Sequence, residues 1–415
     1  AGNDGVNTIF YEEFESAVTV NDTSKNVSGL SPRTAVSEDS DSVDQFSSIG
    51  GFHLTSHDDL FVSDAGGYVF SRAGDDEIRV SSSSYIIPGS GNNLIVGVDD
   101  KPSAIDYFDD GTDLLDSKKS GIEANFEGPM NGTVLNTWEQ LDTFSGVNEI
   151  IGSQYDDTLK GAAGSQSLHG DSGNDVIFGL AGDDHIDGGS GQNVLVGGAG
   201  DDTVISTDND RVVVGPGRDA YDSTSGVSEL FFDNPSSPRY EPVSDPALIF
   251  VDLGSGIIEN EGLEESQDTL SGDFDLHLTD HQSVEAHGSE KDDYIYLGGG
   301  TGSSKYTIDG RSGTDVISLG SGAFRGADLS QAISFAKGSD GSTTLYFDSV
   351  YNSQPVNSQI SLKNVETIET NGPLGDINIE RLADYFSEQT SKPPQDQPLI
   401  GENDDFETVQ HTSPG

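Results

Sequence analysis

Between Gly152 and Ile205 the chain repeats itself every nine residues, a period that points to a stack of short strands joined by tight turns. Cut into nines, the segment reads GSQYDDTLK, GAAGSQSLH, GDSGNDVIF, GLAGDDHID, GGSGQNVLV and GGAGDDTVI. Position 1 is Gly in all six copies, and position 4 is Gly in five, with Tyr155 the exception. Position 6 is Asp157, Gln166, Asp175, Asp184, Asn193 and Asp202; position 8 is always aliphatic, from Leu159 through Leu168, Ile177, Ile186 and Leu195 to Val204. Gly at positions 1 and 4 suits a tight turn, because Gly tolerates positive φ and close backbone approach. The remaining residues suit a very short strand whose position-8 side chain turns inward. Two nonapeptides complete one coil, so turns 18 residues apart stack: Asp157 on Asp175, Asp175 on Asn193, Asp184 on Asp202. A flexible Gly/Asp linker does not account for an aliphatic residue at position 8 six times running.

Composition sharpens this reading. The chain has 19 basic and 73 acidic residues, a net charge of −54, and only 32% apolar residues. Without the repeats, such a balance would read as disorder. It excludes nucleic acid and anionic membrane surfaces as partners, since no basic patch exists to neutralise phosphates. No run approaches the roughly 18 apolar residues of a membrane span. There is no Cys, which removes disulfides, thiol catalysis and thiolate metal sites. A secreted chain without disulfides needs another staple. Stacked turns rich in carboxylates and carbonyls supply one, since calcium takes about six to eight oxygens at ~2.3–2.6 Å.

The nonapeptide block resembles the GGxGxDxUx repeat of the RTX (repeats-in-toxin) family. The resemblance implies a parallel β-roll holding several Ca2+ ions between stacked turns. It implies ligands from the position-6 side chains, the carbonyls of positions 2 and 4 in one turn, and those of 1 and 3 in the next. On one side these are Ser153, Tyr155 and Asp157 with Gly170, Ser172 and Asp175, then Gly173 with Gly188, Ser190 and Asn193. On the other they are Gly179, Ala181, Gly182 and Asp184 with Gly197, Ala199 and Asp202. Gln166 stands where the pattern wants Asp, so the Gln166/Asp184 pair is expected to bind most weakly.

Two further segments read as worn copies. In the first, Phe61, Phe70, Ile78, Ile87 and Ile95 fall at position 8, with Asp59, Tyr68, Asp76, Tyr85 and Asn93 at position 6. One flank could then hold calcium through Asp59, Asp76 and Asn93, while Tyr68 and Tyr85 form a packed stack on the other. In the second, Ile295, Ile308 and Ile317 take position 8, with Asp293, Tyr306 and Asp315 at position 6. The step of 22 from Asp293 to Asp315 requires an inserted loop of about four residues beyond the 18-residue coil.

The stretches between rolls, such as GIEANF at 121–126 and LDTFSGVNEIIGS at 141–153, read as longer strands that extend the same solenoid. The expected fold is therefore all-β, an elongated parallel β-roll or β-solenoid with nonapeptide turns. A short capping helix is expected over Ile377–Ser387, from the spacing of Ile379, Leu382, Tyr385 and Phe386. The segments are an N-terminal extended segment (1–48), a worn roll (49–100), a linker (101–151), the calcium roll (152–221), a second linker (222–287), a second worn roll (288–325), a C-terminal β segment with its cap (326–390) and a polar tail (391–415). Much of Asp22–Asp44 and the tail lack any pattern that would order them alone.

No HExxH helix, GxSxG elbow or phosphate loop occurs. The pairs His53/His57 and His277/His281 read as strand histidines rather than zinc ligands. The expected function is non-enzymatic: a secreted, calcium-dependent structural or cell-surface protein of bacteria, such as an adhesin segment, surface-layer subunit or filament. The alternative is the non-catalytic secretion and folding region of an exoenzyme. Expected partners are calcium, further copies of the chain and cell-surface polysaccharide. Joined tail to head, the ends read P-G-A-G-N-D-G-V-N, close to one nonapeptide, so linear head-to-tail assembly is also expected.

Overall fold

The computed structural model describes residues 7–12, 14–39, 43–47, 49–98, 101–107, 120–207, 209–232, 248–261, 267–278, 283–297, 305–319, 334–351, 354–370, 377–378, 398–403 and 406–411. Among these residues every regular element is a β-strand. None is a helix long and apolar enough to cross a membrane. The chain divides into two units, Ala1–Asp210 and Arg211–Gly415.

The first unit contains the uninterrupted nonapeptides. Strand Thr158–Lys160 pairs in parallel with Val176–Ala181, and that strand with Val194–Ala199. On the opposite flank, Ser167–His169 pairs with His185–Asp187, and that strand with Thr203–Ser206. Each strand thus meets the one 18 residues on, giving two parallel ladders around a shared interior. Leu159, Ile177 and Leu195 line up on one ladder, Leu168, Ile186 and Val204 on the other, and all six are fully buried. Burying each such side chain is worth roughly 1.5–3 kcal/mol, so the core is one thin column of aliphatics.

In the worn roll of the first unit the coil shortens. Asp59, Asp76 and Asn93 recur every 17 residues. Phe61, Ile78 and Ile95 point inward as expected. On the other flank the buried column is Phe52, Val69, Ile86 and Ile105. That is one residue earlier than the expected Phe70 and Ile87. The missing residue comes out of the turn after Phe61, and a one-residue change exchanges the two faces of a strand. Tyr68 and Tyr85 consequently lie at position 7, on the outer face, instead of position 6. They do stack, with ring centroids 6.0 Å apart and planes 14° from parallel.

The linkers are not simple extensions of the parallel coil. Glu123–Gly128, Asn131–Leu135 and Leu141–Ser145 form a three-stranded antiparallel meander. Its last strand lies parallel to Leu94–Val96, and its first lies parallel to Thr158–Lys160. The meander therefore replaces one turn of coil with a folded excursion. A similar meander, Val18–Asp22, Thr34–Ser37 and Val43–Gln45, occupies the segment expected to lack order. Long-range contacts hold it. The Arg33 guanidinium bonds Asp22 and, at 3.0 Å, Asp64; the Asn21 amide donates to the carbonyls of Lys25, Leu30 and Ser31.

The second unit repeats this plan. Meanders of Leu248–Asp252, Ile257–Glu261 and Gln267–Leu278, and of Ser334–Lys337, Thr343–Tyr351 and Gln354–Lys363, flank parallel coils. Ile295, Ile317 and Ile368 align in one buried column, and Ala286, Ile308 and Leu362 in another. Tyr306, expected at a turn position, sits inside strand Lys305–Asp309 with its side chain fully buried. The longer strand puts two side chains inward, two residues apart. Residues 298–304, where the sequence places the inserted loop, lie outside the described residues. The start of the expected capping helix is a strand: Ile377–Asn378 pairs antiparallel with Thr367 and Ile368. The Ile-Asn-Ile alternation at 377–379 suits a strand, and an open sheet edge is available to receive it. Residues 379–397 lie outside the described residues. Within the polar tail, Pro398–Asn403 and Phe406–His411 form a hairpin whose second strand pairs antiparallel with Ser334–Lys337.

Candidate metal centre

Each roll carries a ladder of position-6 side chains. In the central roll, Asp157 N–H donates to Asp175 Oδ1 at 2.8 Å, Asp175 N–H to Asn193 Oδ1 at 2.8 Å, and Asn193 N–H to Asp210 Oδ1 at 2.7 Å. The opposite side repeats it from Gln166 to Asp184 at 2.7 Å and from Asp184 to Asp202 at 2.9 Å. The worn rolls have the same ladder: Asp59 to Asp76 to Asn93, and Asp293 to Asp315. The structure therefore brings together the position-6 residues picked from the sequence in the pairs their spacing implied.

One oxygen of each carboxylate is used by the ladder. The other Oδ2 of Asp76, Asp175, Asp184 and Asp315 is buried and has no hydrogen-bond partner. Removing a carboxylate oxygen from water without a donor is costly, so these atoms call for a cation or a proton. The backbone around them is shaped accordingly. A Cβ at Gly170 would run into Asp175 Oδ2 and the Gly188 carbonyl oxygen, and one at Gly179 into Asp184 Oδ2 and the Gly197 carbonyl oxygen. Position 1 is thus Gly because carboxylate and carbonyl oxygens crowd that point. The position-3 carbonyls of Ala181, Ser190 and Ala199 each accept one N–H, from Gly164, Gly173 and Gly182, and keep a second lone pair.

Among the described residues no three His, Cys, Asp or Glu side chains converge as a metal group. A cation here would be held by one or two side chains and several carbonyls, which suits the hard, oxygen-seeking Ca2+ and not zinc. The residues present fit calcium. Its role in the roll would be to neutralise stacked carboxylates and tie successive turns together. His53 sits on strand Gly51–His53 against Phe10, Tyr68 and Phe70, while His57 lies in the following turn, so the pair does not share a strand. His281 lies outside the described residues.

Burial pushes these carboxyls up in pKa. Asp175 rises to about 7, its burial reinforced by the nearby charges of Asp157, Asp156 and Asp171. Burial also lifts Asp184 to about 6, Asp157 to about 6 and Asp315 to about 6. The calcium-free folded roll thus holds protons that the unfolded chain releases. The stability these groups contribute is complete below the ordinary Asp pKa of about 4 and is lost as pH rises through about 6 to 7. Calcium-free protein should therefore show more β signal by circular dichroism at about pH 5 than at about pH 8. No gain on acidification would contradict the assignment.

Spacing alone did not reveal how the ladders end. Asp142 closes the first: its Oδ1 accepts Asn93 N–H at 2.8 Å and its Oδ2 accepts the Tyr107 hydroxyl at 3.0 Å. Asp210 closes the central one, and Asp268 receives Asp219 N–H at 2.9 Å. Asp142 and Asp268 share the local sequence DTxSG, and each lies 49 residues after its donor. That shared motif was the available signal.

Replacing Asp175 should matter more than replacing Gln166. The Gln166 Oε1 accepts its own turn's Ala162 N–H at 3.0 Å and its amide donates to the Pro129 carbonyl at 3.1 Å, so its side chain is already engaged. Asp175→Ala is expected to weaken calcium binding about tenfold or more, equivalent to 1.4 kcal/mol, and Gln166→Ala by less than about twofold. Isothermal titration distinguishes them, and equal effects would overturn the pairing register.

The family model for the RTX calcium-binding nonapeptide repeat, in four copies, matches residues 142–176, 169–204 and 307–323. No curated protein matches the chain. The first two matches begin at Asp142, the last acceptor of the first ladder, and cover the central ladders from Asp157 to Asp202; the third covers the turn of Asp315 with its partnerless oxygen. Sequence period, parallel coil and stacked carboxylates thus agree with the matched model: the chain carries RTX calcium-binding nonapeptide repeats folded as a β-roll.

Proposed function

We propose that this chain is a secreted, non-enzymatic protein that folds outside the cell when its rolls take up calcium, and that serves there as a structural or surface component. The buried, partnerless oxygens of Asp76, Asp175, Asp184 and Asp315 carry this reading. With a net charge of −54, the calcium-free chain repels itself and stays expanded, a state suited to export. Calcium cancels that repulsion where it is abundant, and metal binding to a site absent from the unfolded chain is folding free energy. An adhesin segment, a surface-layer subunit and a filament are the forms of such a component, with calcium-dependent linear self-assembly as the corresponding behaviour and cell-surface polysaccharide as a partner.

A calcium titration followed by circular dichroism tests the proposal. A protein built to fold outside the cell should have its midpoint in the range of extracellular modules, about 10⁻⁴–10⁻³ M. A midpoint below about 10⁻⁶ M, within the range of intracellular sensors and buffers, would overturn it. Sedimentation at millimolar calcium tests self-assembly separately.

A further inference from the structure

Two kinds of turn recur in these rolls, beside the Gln166 turn, whose Ala162 lacks positive φ but whose position 4 is Gly164. In one kind, position 2 is in the left-handed region: Arg72 has φ +79°, Asp171 +69°, Leu180 +79° and Arg311 +66°. Gly89, Gly189 and Gly198 do the same at +69°, +72° and +107°. In these turns position 4 is a Gly with positive φ, as at Gly74, Gly173, Gly182 and Gly313. Four of them, ending in Asp76, Asp175, Asp184 and Asp315, are the turns with a buried, partnerless Oδ2.

The other kind opens each roll. Its position-2 residues are Thr55, Ser153 and Ser289, none with positive φ, and its position-4 residues are His57, Tyr155 and Lys291 instead of Gly. Here the position-2 N–H turns toward the position-6 carboxylate. Thr55 donates to Asp59 Oδ2 at 2.8 Å, Ser153 to Asp157 Oδ2 at 2.5 Å and Ser289 to Asp293 Oδ2 at 2.6 Å. The hydroxyl of the same residue donates to the other oxygen, at 2.9, 2.8 and 2.9 Å. That hydroxyl also accepts the position-4 N–H, at 3.1 Å from His57, 3.2 Å from Tyr155 and 3.0 Å from Lys291. In two of the rolls the preceding meander adds a further donor, Val18 N–H to Asp59 and Ile122 N–H to Asp157, both at 2.6 Å.

A carboxylate whose two oxygens already accept two or three such donors has few lone pairs left to offer a cation. We infer that Thr55, Ser153 and Ser289 make the opening turn of each roll independent of calcium. The position-2 N–H and hydroxyl do at Asp59, Asp157 and Asp293 what the ion does at the turns that follow. The sequence mark of such a turn is [ST]-x-x-D-D, read at 55–59, 153–157 and 289–293. Each roll then begins on a finished, metal-free edge whose first ladder acceptor belongs to the next turn, so calcium-filled coils stack from a preformed base. This inference rests on the calcium reading of the inner turns.

The test counts calcium ions per full-length chain by equilibrium dialysis and elemental analysis, at saturating calcium. Asn193 shows that an amide keeps the ladder hydrogen bond, so Asp175→Asn removes the charge and keeps the ladder, whereas Asp157→Asn also turns one acceptor of the Ser153 donors into an amide donor. Asp157→Asn should bind as many ions as the wild type, whereas Asp175→Asn should bind one fewer. The double variant Ser153→Gly/Tyr155→Gly, which restores the inner-turn pattern, should bind one more. Loss of an ion in Asp157→Asn, or no added ion in the double variant, overturns the inference while leaving the calcium protein intact. A wild type that binds no calcium overturns both. Should Asp157→Asn fail to fold, the double variant decides alone.

Discussion

Chelating calcium from the full chain at about pH 7.5 should abolish most of its β signal, and restoring millimolar calcium should bring it back. The interior of the central roll is a single aliphatic side chain per nonapeptide, too little apolar surface to hold stacked carboxylates together. Each site filled hundredfold above its dissociation constant contributes about 2.7 kcal/mol. Four such sites, at Asp76, Asp175, Asp184 and Asp315, reach the whole stability of an ordinary domain, about 5–15 kcal/mol. Magnesium should not substitute, since it demands tighter octahedral geometry and gives up water reluctantly. A far-ultraviolet spectrum indifferent to chelator at neutral pH would remove the basis for the proposed function.

Ile177→Asp should prevent the central coils from folding even in saturating calcium. Ile177 is fully buried and pairs with Leu159 on one side and Leu195 on the other. An unpaired carboxylate there has neither a hydrogen-bond donor nor calcium within its column, and the expected cost is about 4 kcal/mol or more. The neighbouring Val176→Asp changes a residue on the outer face of the same strand and should cost less than about 1 kcal/mol. Calcium-dependent thermal unfolding of the two variants makes the comparison. Similar losses would mean that the strand faces have been assigned the wrong way round.

The central roll was legible from the chain alone because every constraint in it is local and periodic. Position 8 recurs at nine, position 6 pairs at eighteen, and both are found where that arithmetic puts them. The turn chemistry is equally local: Ser153 and Asp157 are four residues apart, so the opening turn is written in one short motif. Where the period slips, legibility fails. A coil of 17 residues moves Val69 and Ile86 into the core in place of Phe70 and Ile87, and nothing within either strand announces the slip, since both neighbours are apolar.

Other features belong to the tertiary structure alone. The meander of Val18–Asp22, Thr34–Ser37 and Val43–Gln45 owes its order to Arg33 reaching Asp64, 31 residues away. Asp142 and Asp268 close their ladders from 49 residues downstream, a distance set by the excursion between them and by no period. Ile377–Asn378 is a strand because Thr367–Ile368 presents an edge beside it. The nonapeptide sequence by itself determines the roll, its ladder and the chemistry of its turns, since each arises from contacts repeated at a fixed short spacing. Where each roll stops, and whether a further donor such as Val18 or Ile122 reaches its first carboxylate, is decided only when distant strands of the folded chain come together.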